Sequence, residues 1–248
     1  MNCKHEAHEL RLTGVSARYG EKLALEGAEF SVTCGSRLAL IGPNGAGKST
    51  LLRLLAGLMP SSGGDMTWRG AELTRSTREI AYLPQLDEHQ KHFPISVRDV
   101  VEMGRFPHLG HFGRFKQKDQ EKVDSAIATM QLEDLQGRQI DQLSGGQRQR
   151  TFIARALAQE SHVILLDEPY NGLDVESRCH LAETLIGLAE KEHLIIASHH
   201  NIDNAAALFD LALVLNTQQM AFGPVEECLA QEPVRHLLHA CHPTALPA

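Results

Sequence analysis

Residues 38–55 read Leu38-Ala39-Leu40-Ile41-Gly42-Pro43-Asn44-Gly45-Ala46-Gly47-Lys48-Ser49-Thr50-Leu51-Leu52-Arg53-Leu54-Leu55. An apolar run leads into a glycine-rich loop, and the loop leads into leucines at helical spacing. This is the strand–loop–helix context that G-x-x-x-x-G-K-[ST] requires. Over Gly42 to Thr50 the glycines let backbone N–H groups turn inward around phosphate oxygens. The start of the following helix adds a partial positive charge. Lys48 is placed to reach the β- and γ-phosphates of a nucleotide, and Ser49 to ligate Mg²⁺.

On either side, residues 9–41 read mostly as strands, and the helix is expected from Lys48 to Leu58. Ser61-Ser62-Gly63-Gly64 reads as a turn, and residues 65–84 as further strands ending at Ala81-Tyr82-Leu83-Pro84. From His162 strands and helices alternate again: Val163 to Leu166 a buried strand, 176–191 a helix, His193 to Ala197 a strand. Such alternation implies a parallel sheet covered by helices. Residues 86–160 are polar and helical in pattern, an insertion between core segments at about 1–85 and 161–248. The fold class expected is α/β.

Val163-Ile164-Leu165-Leu166-Asp167-Glu168 places two carboxylates at the end of an apolar strand. In open α/β sheets ligands bind at that edge. Asp167 suits Mg²⁺, and Glu168 suits polarisation of an attacking water. Leu143-Ser144-Gly145-Gly146-Gln147 offers a hydroxyl and bare backbone N–H groups at a helix start.

That pentapeptide, with the motifs before and after it, resembles the signature of the ABC ATPases, and the resemblance runs through nearly the whole chain. It implies a P-loop fold with a mixed sheet core, an antiparallel β subdomain and an inserted helical subdomain. It also implies ATP and Mg²⁺ as ligands and a homodimer in the ATP-bound state. In such a dimer Ser144, Gly145, Gly146 and Gln147 meet the γ-phosphate held by the partner's phosphate loop. Position by position, Tyr19 matches the aromatic that stacks on adenine and Gln85 the glutamine that senses Mg²⁺ and water. Asn171-Gly172-Leu173-Asp174 matches the loop that crosses the interface, and His199 the histidine that bonds the γ-phosphate. His200 stands where the family usually has Asp.

Phe93-Pro94-Ile95-Ser96-Val97-Arg98-Asp99-Val100-Val101-Glu102-Met103-Gly104-Arg105, Gly137 to Gln142, and Ala221-Phe222-Gly223-Pro224 are similar to the ATPases of zinc, manganese and iron-chelate importers. The function implied is the ATPase subunit of a bacterial metal importer. A siderophore or haem importer, an exporter and a soluble ABC ATPase are the alternatives. The partners implied are multi-span permease subunits and, indirectly, a solute-binding protein, at the cytoplasmic face of the cell membrane. Phe93, Phe106, Phe112 and Phe115, with Arg105, Arg114 and Lys116, fit either a docking surface for the permease or the small core of the helical insertion.

The 248 residues carry a net charge of −7, with 42% hydrophobic and 22% charged side chains. That balance suits a globular domain and argues against a nucleic-acid binder. Five scattered cysteines fit a reducing compartment rather than a disulfide framework. MNCKHEAHEL is too polar for a secretory leader. No run approaches the roughly 18 apolar residues of a spanning helix. Cys3, His5 and His8 at one end, and His236, His239, Cys241 and His242 at the other, raise the idea of a zinc-loaded regulatory tail. A frayed histidine-rich terminus is the plainer reading.

Overall fold

In the first strand, Glu9–Tyr19 (β1), side chains alternate. Leu10, Leu12, Val15 and Ala17 are buried while most of their neighbours face outward. Simple alternation would put Leu12 and Val15 on opposite faces. A register shift between them, at Gly14, keeps both inside. β1 pairs antiparallel with Lys22–Thr33 (β2) and Gly63–Trp68 (β4), and β4 with the short Ala71–Glu72 (β5). The computed structural model describes residues 8–73, 78–85, 94–109, 113–199 and 204–241.

The other half of the sheet is built from Arg37–Ile41 (β3), Ile80–Leu83 (β6), Val163–Leu166 (β7), Leu194–His199 (β8), Leu211–Asn216 (β9) and Gln218–Pro224 (β10). β7 and β8 are buried along their whole length, and β3 everywhere but its first residue. Such continuous apolar runs belong to parallel strands covered on both faces. The full order is β5-β4-β1-β2-β10-β9-β3-β8-β7-β6. Pairs from β9 to β6 through β3, β8 and β7 are parallel, and β10 turns back antiparallel on β9. The fold is therefore α/β with a mixed sheet and an antiparallel portion.

Helix Lys48–Leu55 (α1) follows β3 and buries Leu51, Leu52, Leu54 and Leu55. It stops three residues short of the predicted Leu58. Gly57 takes a left-handed φ of 66°, and its N–H and that of Leu58 close back on the carbonyls of Leu54 and Arg53. That is a Schellman stop. The predicted turn at Ser61–Gly64 is shorter too, because Gly63 and Gly64 already belong to β4.

Helices Val97–Glu102 (α2), Phe106–Leu109 (α3), Gln117–Thr129 (α4) and Gly145–Ala158 (α5) make up most of the described part of residues 97–158. α2 opens with a reciprocal cap, Ser96 Oγ accepting from the Asp99 N–H and Asp99 accepting from the Ser96 N–H. These helices pack around Val97, Val101, Val123, Ile127, Met130 and Ile153. After β7 come Val175–Glu190 (α6), Ala205–Leu208 (α7), Val225–Ala230 (α8) and Glu232–Cys241 (α9). Among the described residues, no helix is long and apolar enough to cross a membrane.

For Arg105 the structure decides between the two readings left open. Arg105 is not on a docking surface: its residue is 3% exposed. Its guanidinium donates to Asp119 (3.0 Å), to the Ala158 carbonyl (2.6 Å) and to Glu160 (2.9 Å). The stem passes between α4 and α5 and the charge is neutralised there, which is how a buried guanidinium is held. Phe115 packs against the core, whereas Phe106 is exposed. Phe93 and Phe112 lie outside the described residues.

Burial would raise the Glu160 carboxyl, but the hydrogen bonds from Lys122 and Arg105 hold it at about 2. A lowered folded-state pKa means this stabilisation is full above the usual carboxylate range and lost as pH falls through about 2. Arg105→Ala strands a buried carboxylate and is expected to lower unfolding free energy by about 3 kcal/mol in urea titrations. Glu160→Gln, on the solvent side, is expected to cost under about 1 kcal/mol.

Candidate functional site

Four parallel strands end side by side, and their register sets the site. Ile41 pairs with His199, Leu40 with Ser198, Leu166 with Ala197, and Leu83 with Leu166. One step beyond those ends come Gly42, Asp167 and Pro84-Gln85. The phosphate loop, both carboxylates, His199 and Gln85 thus share the C-terminal edge of the sheet.

The loop needs its glycines. A Cβ on Gly42 would sit 2.1 Å from the Leu215 carbonyl oxygen, and one on Gly47 would sit 2.6 Å from that of Ala24. Gly42 and Gly47 also hold φ at 151° and 101°. Ala46 packs into the core, and its carbonyl accepts from the Thr217 N–H. Lys48 Nζ donates to the carbonyls of Gly42 (2.7 Å) and Pro43 (2.9 Å), closing the loop around Asn44 and Gly45. Thr50 is buried on α1.

Asp167 is the tie between these elements. Its Oδ1 accepts from Ser49 Oγ (3.0 Å) and Ser198 Oγ (2.8 Å), and its Oδ2 accepts from the Tyr82 hydroxyl (3.3 Å). One carboxylate so joins α1, β8 and β6. Burial and then the Asp167 charge push the Tyr82 phenol up, which keeps it a donor. Ser198 Oγ also accepts from the Glu168 N–H at 2.7 Å, fixing where the second carboxylate begins.

Glu168 has φ of +50°. For a non-glycine residue this costs roughly 1–2 kcal/mol, and such strain gathers at functional positions. Asn171 Nδ2 donates to its Oε2, and the Asn171 N–H bonds its carbonyl. The carboxylate is therefore held beside the strand end instead of hanging in solvent. His199 is buried, edge-on to Tyr170 and tilted against Phe209, each 5.5 Å between ring centroids. Burial pushes the Tyr170 phenol up, so it faces His199 neutral. His200 lies outside the described residues.

Ser144 caps α5. It accepts from the Gln147 N–H (3.3 Å), and Gln147 Oε1 accepts from the Ser144 N–H (3.1 Å). Gly145 and Gly146 lie against Leu173 and Ser177, and a Cβ on Gly146 would meet Ser177 Oγ at 2.6 Å. Asp174 caps α6 by accepting from the Ser177 N–H at 2.7 Å, and this bond holds its carboxyl below the usual range. Gln85 and Glu168 line one cleft with Gly145, Arg148 and Asn171. Tyr19 is half exposed at the end of β1, its hydroxyl accepting from Arg53 at 3.3 Å.

Sequence reasoning singled out neither Ser198 nor Tyr82 as site residues, and it placed Asn171 only in a loop. Their contacts depend on register across three strands. Ser198 carried one signal, being the hydroxyl residue just before the strand-end histidine.

The sequence profile of the ABC transporter family matches residues 25–171, more than half of the chain. The manganese transport system ATP-binding protein MntB of Listeria monocytogenes is 37% identical over 226 residues, 91% of this chain and 94% of that one. The chelated iron transport system protein YfeB of Yersinia pestis is 37% identical over 227 residues, 90% of this chain and 77% of that one. Among solved structures, a metal-chelate type ABC transporter in an inward-facing conformation superposes with a TM-score of 0.82 at 32% identity, covering 93% of this chain and 88% of that chain. With the phosphate loop, the paired carboxylates and the signature helix in one fold, the chain belongs to the ABC transporter family.

Proposed function

We propose that this chain is the ATP-hydrolysing subunit of a bacterial importer for a transition-metal ion, with manganese the first candidate cargo and zinc the second. The observation that carries the ATPase reading is the convergence of Lys48, Ser49, Asp167, Glu168 and His199 on one sheet edge. The cargo reading rests on the manganese-transport relatives, which match about nine-tenths of both chains. The iron-transport relative keeps a chelated-iron cargo as the alternative to both.

The roles follow from position. The backbone of Gly42, Pro43, Asn44, Gly45, Ala46 and Gly47 cradles the phosphates, with Lys48 and Thr50 at the helix start. The half-exposed Tyr19 ring offers a face to adenine. Ser49 Oγ and Asp167 Oδ1, 3.0 Å apart, are hard oxygen donors of the kind Mg²⁺ takes. Those two residues and Gln85 would hold the ion, which neutralises phosphate charge when bound. Glu168 orients and deprotonates the attacking water, held for that task by Asn171 and the Ser198 bond. His199 bonds the γ-phosphate.

The signature residues Ser144, Gly145, Gly146 and Gln147 cap a helix facing the Gln85–Glu168 cleft of their own chain. In the proposed homodimer they, with Asp174, reach the nucleotide on the partner's phosphate loop. The core at about 1–85 and 161–248 carries the nucleotide, and the helical part at about 86–160 carries the signature. The permease docks beside Gln85, with exposed Phe106 on the same helical part. The chain then works at the cytoplasmic face of the cell membrane, driven indirectly by a solute-binding protein outside.

Glu168→Gln keeps shape and hydrogen bonding but removes the base. Its ATP turnover is expected to fall about 10²- to 10³-fold with nucleotide affinity retained; normal hydrolysis would remove Glu168 from the role. Cells lacking the gene are expected to lose manganese under manganese limitation and regain it with the wild-type gene but not with Lys48→Ala. Unchanged manganese alongside a zinc or iron deficit would move the cargo and leave the ATPase assignment standing.

A further inference from the structure

At the opposite end of the sheet from the nucleotide edge, three metal-ligating side chains come together. His8 leads into β1, Cys34 follows β2, and His162 precedes β7. Each offers one ligand atom, and the three atoms lie within 4.8 Å of one another. The backbone fixes this meeting. The Cys34 N–H bonds the His8 carbonyl at 2.9 Å, and the His162 N–H bonds the Glu79 carbonyl at 2.7 Å. The His8 and His162 rings stand edge to face, 5.4 Å between centroids. All three residues are half-buried, so the cluster is ordered by its surroundings yet open to entry from solvent.

We propose that His8, Cys34 and His162 form a binding site for one Zn²⁺-class ion, separate from the nucleotide site and independent of the cargo assignment. A thiolate with two imidazoles is a borderline-soft set, suited to zinc, with solvent completing a tetrahedron. Mn²⁺ and Mg²⁺ prefer oxygen donors and are poorly matched. The ligands span elements distant in sequence, so the ion ties the antiparallel strands β1 and β2 to the foot of the parallel strand β7. His8 thereby sits in a folded site and not only in a histidine-rich end.

Two local features shape the binding. Burial pushes the Cys34 thiol up to about 11. The sulfur therefore enters as a thiol, and forming the metal–sulfur bond releases one proton to solvent. Burial lowers His162, which keeps its imidazole neutral and ready to ligate. Against this, Arg69 Nη2 lies 3.0 Å from His8 Nδ1. Arginine can only donate, so Nδ1 accepts from it. The ion must take the ring from this contact, leaving Arg69 on Glu79 (3.0 Å) and over the Trp68 ring.

The test uses the purified full-length chain, with Co²⁺ as a spectroscopic probe and Zn²⁺ in competition with a chromophoric chelator. We expect a near-ultraviolet thiolate-to-cobalt band at one equivalent, kept in a Cys3→Ser/Cys241→Ser double variant and lost in Cys34→Ser. Zinc affinity should fall at least tenfold in Cys34→Ser and in His162→Ala, and equimolar Mn²⁺ or Mg²⁺ should not displace the zinc. Circular dichroism and Mg²⁺-supported ATP turnover, measured without added zinc, check that each variant is folded. The proposal is overturned if the band survives Cys34→Ser or disappears with the terminal cysteines, which would put the metal on the tails. It is also overturned if the wild type gives no band.

Discussion

The Asp167 carboxylate holds the nucleotide edge together. It takes hydroxyl hydrogen bonds from α1, β8 and β6 at once. Each donor comes from a different element, and each reaches Asp167 only because the parallel strands run in one register. A slip of one residue would turn every side chain to the other face of the sheet. The apolar runs of β3, β7 and β8 prevent it, since both faces are buried and any slip would expose or overpack the core. The placement of the candidate site groups is thus a by-product of hydrophobic packing several residues away.

The same edge explains why one chain is taken to be half of the working unit. The phosphate loop follows β3, while the signature helix opens on the cleft lined by Gln85 and Glu168. Ser144 Oγ accepts from the Gln147 N–H at 3.3 Å, which uses a lone pair and leaves the hydroxyl hydrogen to donate to an acceptor of its own. A γ-phosphate presented by a second copy would be such an acceptor. Glu168, strained at positive φ, stands where the two halves of that proposed sandwich would meet.

Much of this was legible in the sequence. Fold class, strand ends and the phosphate loop followed from apolar runs, glycine spacing and one Lys-Ser-Thr triplet. What stayed hidden depends on tertiary register. Ser198 and Tyr82 look like ordinary strand residues until their strands are aligned. Arg105 could be read either way, as docking surface or insertion core, because its acceptors, Asp119, the Ala158 carbonyl and Glu160, lie well beyond it along the chain. The helix after the phosphate loop was drawn too long because a lone glycine inside a leucine-rich run does not announce a left-handed stop. The grouping of His8 with Cys34 and His162 was invisible for the same reason: terminal histidines suggested a tail, and the fold returned one of them to the sheet.

The most direct test of the two-chain site is sedimentation of the Glu168→Gln chain with and without ATP. A mass that doubles only with ATP, and stays monomeric when Ser144→Arg is added, is the result predicted. A chain that binds ATP at full affinity and remains monomeric would contradict it, and would require the whole site to be built from one copy.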